Sequence, residues 1–77
     1  ICDILDHQSP SISGESYKEL IKFVDDRPGH DFRYAIDATK IKKALGWVPK
    51  ESLISGLEKT ILWYIQNHNW WRKIQGI

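Results

Sequence analysis

Cysteine and methionine are almost absent from this sequence. Its single cysteine, Cys2, cannot form an internal disulfide and supplies too few thiolates for a zinc or iron–sulfur site. We therefore expect a reducing, cytoplasmic environment. No methionine occurs among the 77 residues, not even at position 1, so we expect the chain to be part of a longer protein.

The sequence also lacks long hydrophobic runs and an excess of charge of either sign. No apolar run approaches the ~20 residues that span a bilayer, and the first residues do not resemble a signal peptide. The 11 Lys and Arg residues against 10 Asp and Glu leave a formal net charge of +1. Such a chain has no general attraction for nucleic acid or an anionic membrane. We expect neither partner, and any anion site must be local.

What remains is the composition of a folded domain. Hydrophobic residues make up 42% of the chain and charged residues 27%, which are ordinary globular proportions. A chain this short forms one domain at most and buries only about 60% of the surface that its unfolded form exposes. The sequence therefore predicts one folded unit with a thin core.

The first half of the chain alternates short apolar elements with turn residues. Helical spacing in residues 1–5 predicts a helix, which a loop over residues 6–14 follows. Apolar and charged residues alternate in residues 17–25 and predict a short strand, and residues 32–36 predict a second brief strand.

The second half is predicted to be helical. Asp37 is a good N-cap and Gly46 a good C-terminal stop, so we expect a helix over residues 38–45. Ser52 opens a longer apolar pattern, which predicts a helix that ends near residue 73. Together the elements predict a mainly helical α/β part, with one or two short strands and two or three helices.

The last predicted helix carries more apolar surface than so short a chain can cover. Residues beyond its main apolar stripe extend that surface: Leu53, Leu62, Trp63, Trp70 and Trp71. A larger protein or a partner would cover it, and the isolated chain is expected to self-associate through it.

The turn between the two predicted strands is the best candidate for function. Arg27 offers a planar fork of donors and His30 a further donor, and both residue types bind phosphate or carboxylate groups. Between them, Pro28 and Gly29 suit the second and third positions of a type II turn. The pattern indicates anion recognition.

Plainer interpretations of the same residues stay open. Arg27 would pair with Asp25 or Asp31, and His30 would be solvated in the turn. Lysines near residue 42 and the aromatic and basic residues near residue 71 form only a weak nucleic-acid pattern. No metal-binding or catalytic motif is present, since the three histidines and Cys2 fall in no known ligand spacing.

Residues 26–37, DRPGHDFRYAID, carry a resemblance to a known family. The dTDP-glucose 4,6-dehydratases have a similar signature, in which DRPGHD is followed by RYAID. Further similar segments follow in the same order: Lys40-Ile41, Leu45-Gly46-Trp47-Val48-Pro49, Gly56-Leu57-Glu58-Lys59-Thr60, Trp63-Tyr64, Asn67 and Trp70-Trp71. Related epimerases and dehydratases of the extended short-chain dehydrogenase/reductase superfamily share a looser version of the pattern.

The resemblance implies a fold and an activity. Residues 1–77 would be a fragment of the carboxy-terminal nucleotide-sugar-binding subdomain of a Rossmann-type enzyme, without the Rossmann domain that binds NAD. The enzyme would be a cytoplasmic lyase, a homodimer in its parent form, that converts dTDP-glucose to dTDP-4-keto-6-deoxyglucose for deoxysugar, rhamnose and polysaccharide synthesis.

The resemblance also implies site residues. The family's substrate-binding segment matches Asp26, Arg27, Pro28, Gly29 and His30, with Arg27 at the diphosphate of the dTDP-sugar and His30 nearby. The family's glycine-rich NAD loop, its Tyr-x-x-x-Lys pair and its acid/base carboxylates have no counterpart, so the chain alone is expected to be inactive.

Two alternatives remain at this point. One is another nucleotide-sugar epimerase or dehydratase of the same superfamily. The other is a stand-alone module that binds a partner protein through the helix face with Trp70 and Trp71.

Overall fold

The computed structural model describes residues 1–76, and this part of the chain is helical. Helix α1 spans Cys2–Gln8, a 3₁₀ helix spans Tyr17–Leu20, and α2 spans Thr39–Leu45. Helix α3 spans Leu53–Gln66, and α4 spans His68–Gln75. Helix α1 contacts both the 3₁₀ helix and α3, and α3 contacts α4.

Polar contacts join α1 to the 3₁₀ helix. The Asp6 carboxylate accepts hydrogen bonds from the Ser16 hydroxyl (2.5 Å) and the Tyr17 backbone N–H (2.8 Å). The Tyr17 hydroxyl in turn donates to the Ser9 carbonyl at 2.6 Å. These bonds fix the loop between the two elements. The predicted helix at the start of the chain is confirmed, but it extends to Gln8, so the first three residues of the loop predicted over 6–14 are helical.

The predicted strand over residues 17–25 is wrong. Its first four residues form the 3₁₀ helix, and no residue after them is in a strand. The Ser16 hydroxyl accepts a hydrogen bond from the Lys18 N–H at 3.1 Å. Serine side chains that bond to nearby backbone groups favour tight turns over sheets, so this local contact outweighs the alternating pattern.

The second predicted strand, residues 32–36, is wrong as well. This segment is irregular, and Phe32 and Ile36 have relative exposures of 104% and 97%. A strand needs a neighbour that satisfies its backbone hydrogen bonds, and residues 1–76 provide none. The α/β class with one or two strands is therefore corrected to an all-helical class for the described part, with four α-helices rather than two or three.

Helix α2 begins one residue later than its residues predict and ends where they predict. The N-cap is Ala38 rather than the predicted Asp37, but Asp37, one residue earlier, accepts hydrogen bonds at Oδ1 from the Thr39 N–H (3.0 Å) and the Thr39 hydroxyl (2.5 Å). At the other end Gly46 has a φ of 64°, and its N–H donates to the Lys42 carbonyl. Glycine is favoured there because it adopts a positive φ without steric strain.

Helix α3 opens with a reciprocal capping box. The Ser52 hydroxyl accepts from the Ser55 N–H at 3.1 Å, and the Ser52 N–H donates to the Ser55 hydroxyl at 2.9 Å. Two backbone donors at the helix start are thus satisfied. The predicted N-cap at Ser52 is confirmed.

The predicted single helix to residue 73 is interrupted at Asn67. The Asn67 side chain and backbone N–H both donate to the Trp63 carbonyl, at 2.8 and 2.9 Å. The backbone bond is the ordinary helical one, and the side-chain amide shares the same carbonyl. Asn67 has a φ of −111° and a ψ of 35°, which lie outside the helical range, so α3 ends there and α4 begins at His68. The Trp71 indole N–H donates to the Tyr64 carbonyl at 2.9 Å.

Little of the apolar surface is covered. Among the described residues only Ile61 is a buried apolar side chain, with 8% exposure, while Trp70 is 54% exposed. Trp63 packs edge-to-face on Tyr64 and on Trp70. The Cα radius of gyration is 17.3 Å, against about 11 Å for a compact domain of this length.

The helices of residues 1–76 are short. The longest has 14 residues, and none combines the length and hydropathy that crossing a bilayer requires.

Candidate functional site

The turn at residues 27–30 has the predicted type II form. The His30 backbone N–H donates to the Arg27 carbonyl at 3.3 Å, and Gly29 has a φ of 74°. Pro28 precedes Gly29 at the position where its fixed φ is favoured. The prediction is confirmed, and the turn places the Arg27 and His30 backbones next to each other.

A side-chain pair closes this turn. His30 Nδ1 lies 2.5 Å from Asp26 Oδ1, and their side chains are 43% and 75% exposed. An ionised carboxylate only accepts hydrogen bonds, so Nδ1 of His30 is the donor. The second ring nitrogen, Nε2, is left for another partner.

Arg27 makes no ion pair within residues 1–76. The ion pairs found there join Lys18 to Asp3, His30 to Asp26 and Lys59 to Glu51. The plainer interpretation, in which Arg27 pairs with a neighbouring aspartate, is therefore not what the structure has. The Arg27 side chain is exposed, so its guanidinium group is accessible to solvent.

Asp37, the last acidic residue of the loop, has a structural role. The hydrogen bonds from the Thr39 hydroxyl and then the Thr39 N–H lower the pKa of the Asp37 carboxyl. The carboxylate therefore stays ionised at neutral pH and binds the first residue of α2. This leaves Asp26, Arg27 and His30 as the side chains that define the site, which we call the 26–30 turn.

Other candidate side chains lie elsewhere. His68 packs edge-to-face on Trp71, with the ring centroids 5.2 Å apart. In the part of the chain that the structure describes, no three His, Cys, Asp or Glu side chains converge on a possible metal position. Arg72 and Lys73 lie in the last turn of α4, where positive charge is favoured by the helix dipole.

The pairing of Asp26 with His30 is not predicted by the sequence patterns. The residue types predicted an anion site formed by Arg27 and His30. The neighbouring aspartates were considered only as partners of Arg27. A usable signal was present, because a type II turn between positions 26 and 30 returns the chain on itself. An acid and a histidine on its two sides are then within reach.

Comparison with protein families identifies a match over most of the chain. The family model described as GDP-mannose 4,6 dehydratase matches residues 4–60, a range that includes the 26–30 turn. The chain belongs to this family. The matched range includes the DRPGHD segment, which carried the resemblance to a known family.

Individual relatives carry a more specific name. The chain is 53% identical to an Escherichia coli protein named dTDP-glucose 4,6-dehydratase, over 96% of this chain and 21% of the relative. It is 49% identical to a protein of the same name from Neisseria meningitidis serogroup B, again over 96% and 21%. It is also 56% identical to dTDP-glucose 4,6-dehydratase 1 of Escherichia coli K12, over 91% of this chain and 19% of the relative.

These similarities confirm the resemblance found in the DRPGHD segment. The chain spans about a fifth of the length of the curated relatives that it matches. No solved structure matches the chain.

Proposed function

We propose that this chain is the carboxy-terminal, nucleotide-sugar-binding part of a dTDP-glucose 4,6-dehydratase. The observation that carries the proposal is the 26–30 turn of a family member, which presents a carboxylate-bound His30 and an Arg27 that has no ion pair within residues 1–76. Relatives with this name align over nearly the whole chain. The substrate is then dTDP-glucose and the product dTDP-4-keto-6-deoxyglucose.

The chemistry of the turn suits a diphosphate. A guanidinium group donates two parallel hydrogen bonds to phosphate oxygens, and an adjacent imidazole adds a third donor. A type II turn with Pro28 and Gly29 holds both side chains at little entropic cost. Arg27 would bind the diphosphate of the dTDP-sugar, with His30 beside it and the backbone of the turn as support.

The sugar chemistry belongs to residues outside this chain. The residues of this chain do not fit NAD, because they include no glycine-rich loop between a strand and a helix, and no strand occurs in residues 1–76. NAD would be bound by a Rossmann domain in the rest of the longer protein. We propose that residues 1–77 form a subdomain fragment that is inactive alone.

The exposed apolar surface supports the proposal that this chain is a subdomain fragment and that a Rossmann domain lies in the rest of the longer protein. Two shallow apolar grooves of about 560 and 460 Å³ lie along α2 and between α1 and α3. In the longer protein they would be covered by its own Rossmann domain, or by the second copy in a homodimer. A cytoplasmic location fits the free thiol of Cys2.

The test is turnover by the longer protein that contains this chain. We expect incubation with dTDP-glucose to give a product lighter by one water, measured by mass spectrometry. A product of unchanged mass with one inverted sugar centre would replace the proposal with an epimerase. Absence of both turnover and dTDP-glucose binding would overturn it in favour of a protein-binding module.

A further inference from the structure

We propose that Asp26 is a positioning residue for His30, so that the free Nε2 of His30, beside Arg27, donates to the diphosphate. The inference rests on the proposed function, because it names the atom of the 26–30 turn that meets the ligand. It assigns to Asp26 a role through His30 rather than a contact with the substrate.

The geometry of the turn carries the first step. The Asp26 and His30 side chains meet at 2.5 Å across a turn that the His30 N–H to Arg27 carbonyl bond closes. His30 is thus held at its backbone N–H and, through Asp26, at one ring nitrogen. The ring contact limits rotation of the side chain, so less entropy is lost when a ligand binds.

The chemistry of the pair carries the second step. Because the Asp26 carboxylate only accepts hydrogen bonds, it holds a proton on Nδ1 of His30 and leaves Nε2 as the contact atom. When the ring is protonated, Nε2–H donates to a phosphate oxygen. The Asp26 charge then offsets the imidazolium charge, so that Arg27 and His30 occupy the same turn without net repulsion.

The neighbouring acids do not share this arrangement. Within residues 1–76, neither Asp25 nor Asp31 makes a hydrogen bond or ion pair with His30. Asp25 therefore offers a matched control, since it has the same charge and lies one residue away from Asp26.

A double-mutant cycle in the longer protein tests the proposal. We expect Asp26→Ala and His30→Ala each to weaken dTDP binding by roughly tenfold to 150-fold in calorimetry, the range of one charge-assisted contact. The double variant is expected to bind dTDP no more weakly than His30→Ala alone, because Asp26 acts through His30. Asp25→Ala should change the affinity by no more than about twofold.

Two outcomes would overturn the positioning role. One is an unchanged dTDP affinity in Asp26→Ala. The other is a loss from Asp26→Ala that persists in the His30→Ala background, which would mean that Asp26 only shapes the turn. If the unsubstituted protein binds neither dTDP nor dTDP-glucose, the proposed function itself fails, and the two failures are thereby distinguished.

A spectroscopic readout is independent of the ligand. In the protein labelled with ¹⁵N-histidine and free of nucleotide, we expect His30 to carry its neutral-form proton on Nδ1. That signature should disappear in Asp26→Ala and remain in Asp25→Ala. The same histidine spectrum in all three proteins would overturn the assignment.

Discussion

The Asp6 carboxylate accepts a hydrogen bond of 2.8 Å from the backbone N–H of Tyr17, eleven residues further along the chain. Its other oxygen accepts from the Ser16 hydroxyl at 2.5 Å. Both donors belong to the start of the 3₁₀ helix. One side chain of α1 therefore organises the element that replaces the predicted first strand.

This relationship predicts a pH dependence. The hydrogen bond from Ser16, and next that from Tyr17, lower the pKa of Asp6. A carboxyl with a lower pKa in the folded state stabilises the fold above its unfolded pKa, and that contribution is lost as the pH falls through the folded pKa. We expect the contact between α1 and the 3₁₀ helix to be intact at neutral pH and to weaken below roughly pH 4.

The measurement is an NMR titration of the Asp6 side-chain carboxyl carbon together with the Tyr17 amide. Both signals should move together, at a pH below the ordinary aspartate range. In Asp6→Asn the Tyr17 amide should no longer respond in that range. An Asp6 carboxyl that titrates at its ordinary value would contradict the prediction.

Two glycine substitutions should have opposite effects on stability. Gly46 has a φ of 64°, so Gly46→Ala forces a side chain into the left-handed region and should lower the free energy of unfolding by about 1 kcal/mol. Gly56 lies inside α3, and an added Cβ would meet only the Glu51 Cβ at 3.8 Å. Gly56→Ala should therefore raise the free energy of unfolding by about 0.5–1 kcal/mol.

Urea unfolding of the chain, followed by circular dichroism, compares the two variants. Each serves as the control for the other, since the chemical change is identical. Equal shifts of the urea midpoint in the same direction would show that the backbone conformation of Gly46 is not what determines the effect.

Removal of the N-cap should weaken α3. The Ser52 hydroxyl accepts from the Ser55 N–H, and Ser52→Ala leaves that donor without its partner. We expect a loss of about 1 kcal/mol in the free energy of unfolding. Ser52→Asp, which retains a cap acceptor, should restore most of it in the same urea assay, and a Ser52→Asp variant as unstable as Ser52→Ala would count against the capping role.

Arg27 should contribute directly to nucleotide binding. In the longer protein, Arg27→Ala is expected to weaken dTDP-sugar binding by about 1.5–3 kcal/mol, the value of hydrogen bonds to a charged group. Arg33→Ala removes the same charge from the same segment and is the control, with a loss of less than about 1 kcal/mol. Calorimetry with dTDP measures both, and an unchanged affinity in Arg27→Ala would exclude Arg27 from the diphosphate site.

Features that depend on a few adjacent residues could be predicted from the sequence. The type II turn follows from Pro28 and Gly29, and the ends of α2 follow from Asp37 and Gly46, because each bond involves groups within four positions of each other. The same holds for the cap at Ser52. The DRPGHD segment led to the correct family for a related reason, since a motif is a local string.

Features that depend on distant or competing groups could not be predicted from the sequence. The alternating residues after Tyr17 carry a strand pattern, but a strand forms only where a second strand satisfies its backbone, and residues 1–76 contain none. The apolar periodicity across α3 and α4 is continuous, yet the backbone of Asn67 leaves the helical range, at φ −111° and ψ 35°, and divides the helix. Apolar periodicity does not report the backbone angles of a single residue.

For the candidate site, too, some features could be predicted from the sequence and others could not. Residue types alone led to the hypothesis that the segment around Arg27 binds an anion, because a guanidinium group, an imidazole and a Pro-Gly turn have that chemistry in any fold. The structure was needed to decide which of the neighbouring acids contacts His30, although Asp26 lies only four positions from it. The turn brings Asp26 to His30 and leaves Arg27 without a carboxylate partner in residues 1–76, since hydrogen bonds depend on distances of a few tenths of an ångström that spacing along the chain does not specify.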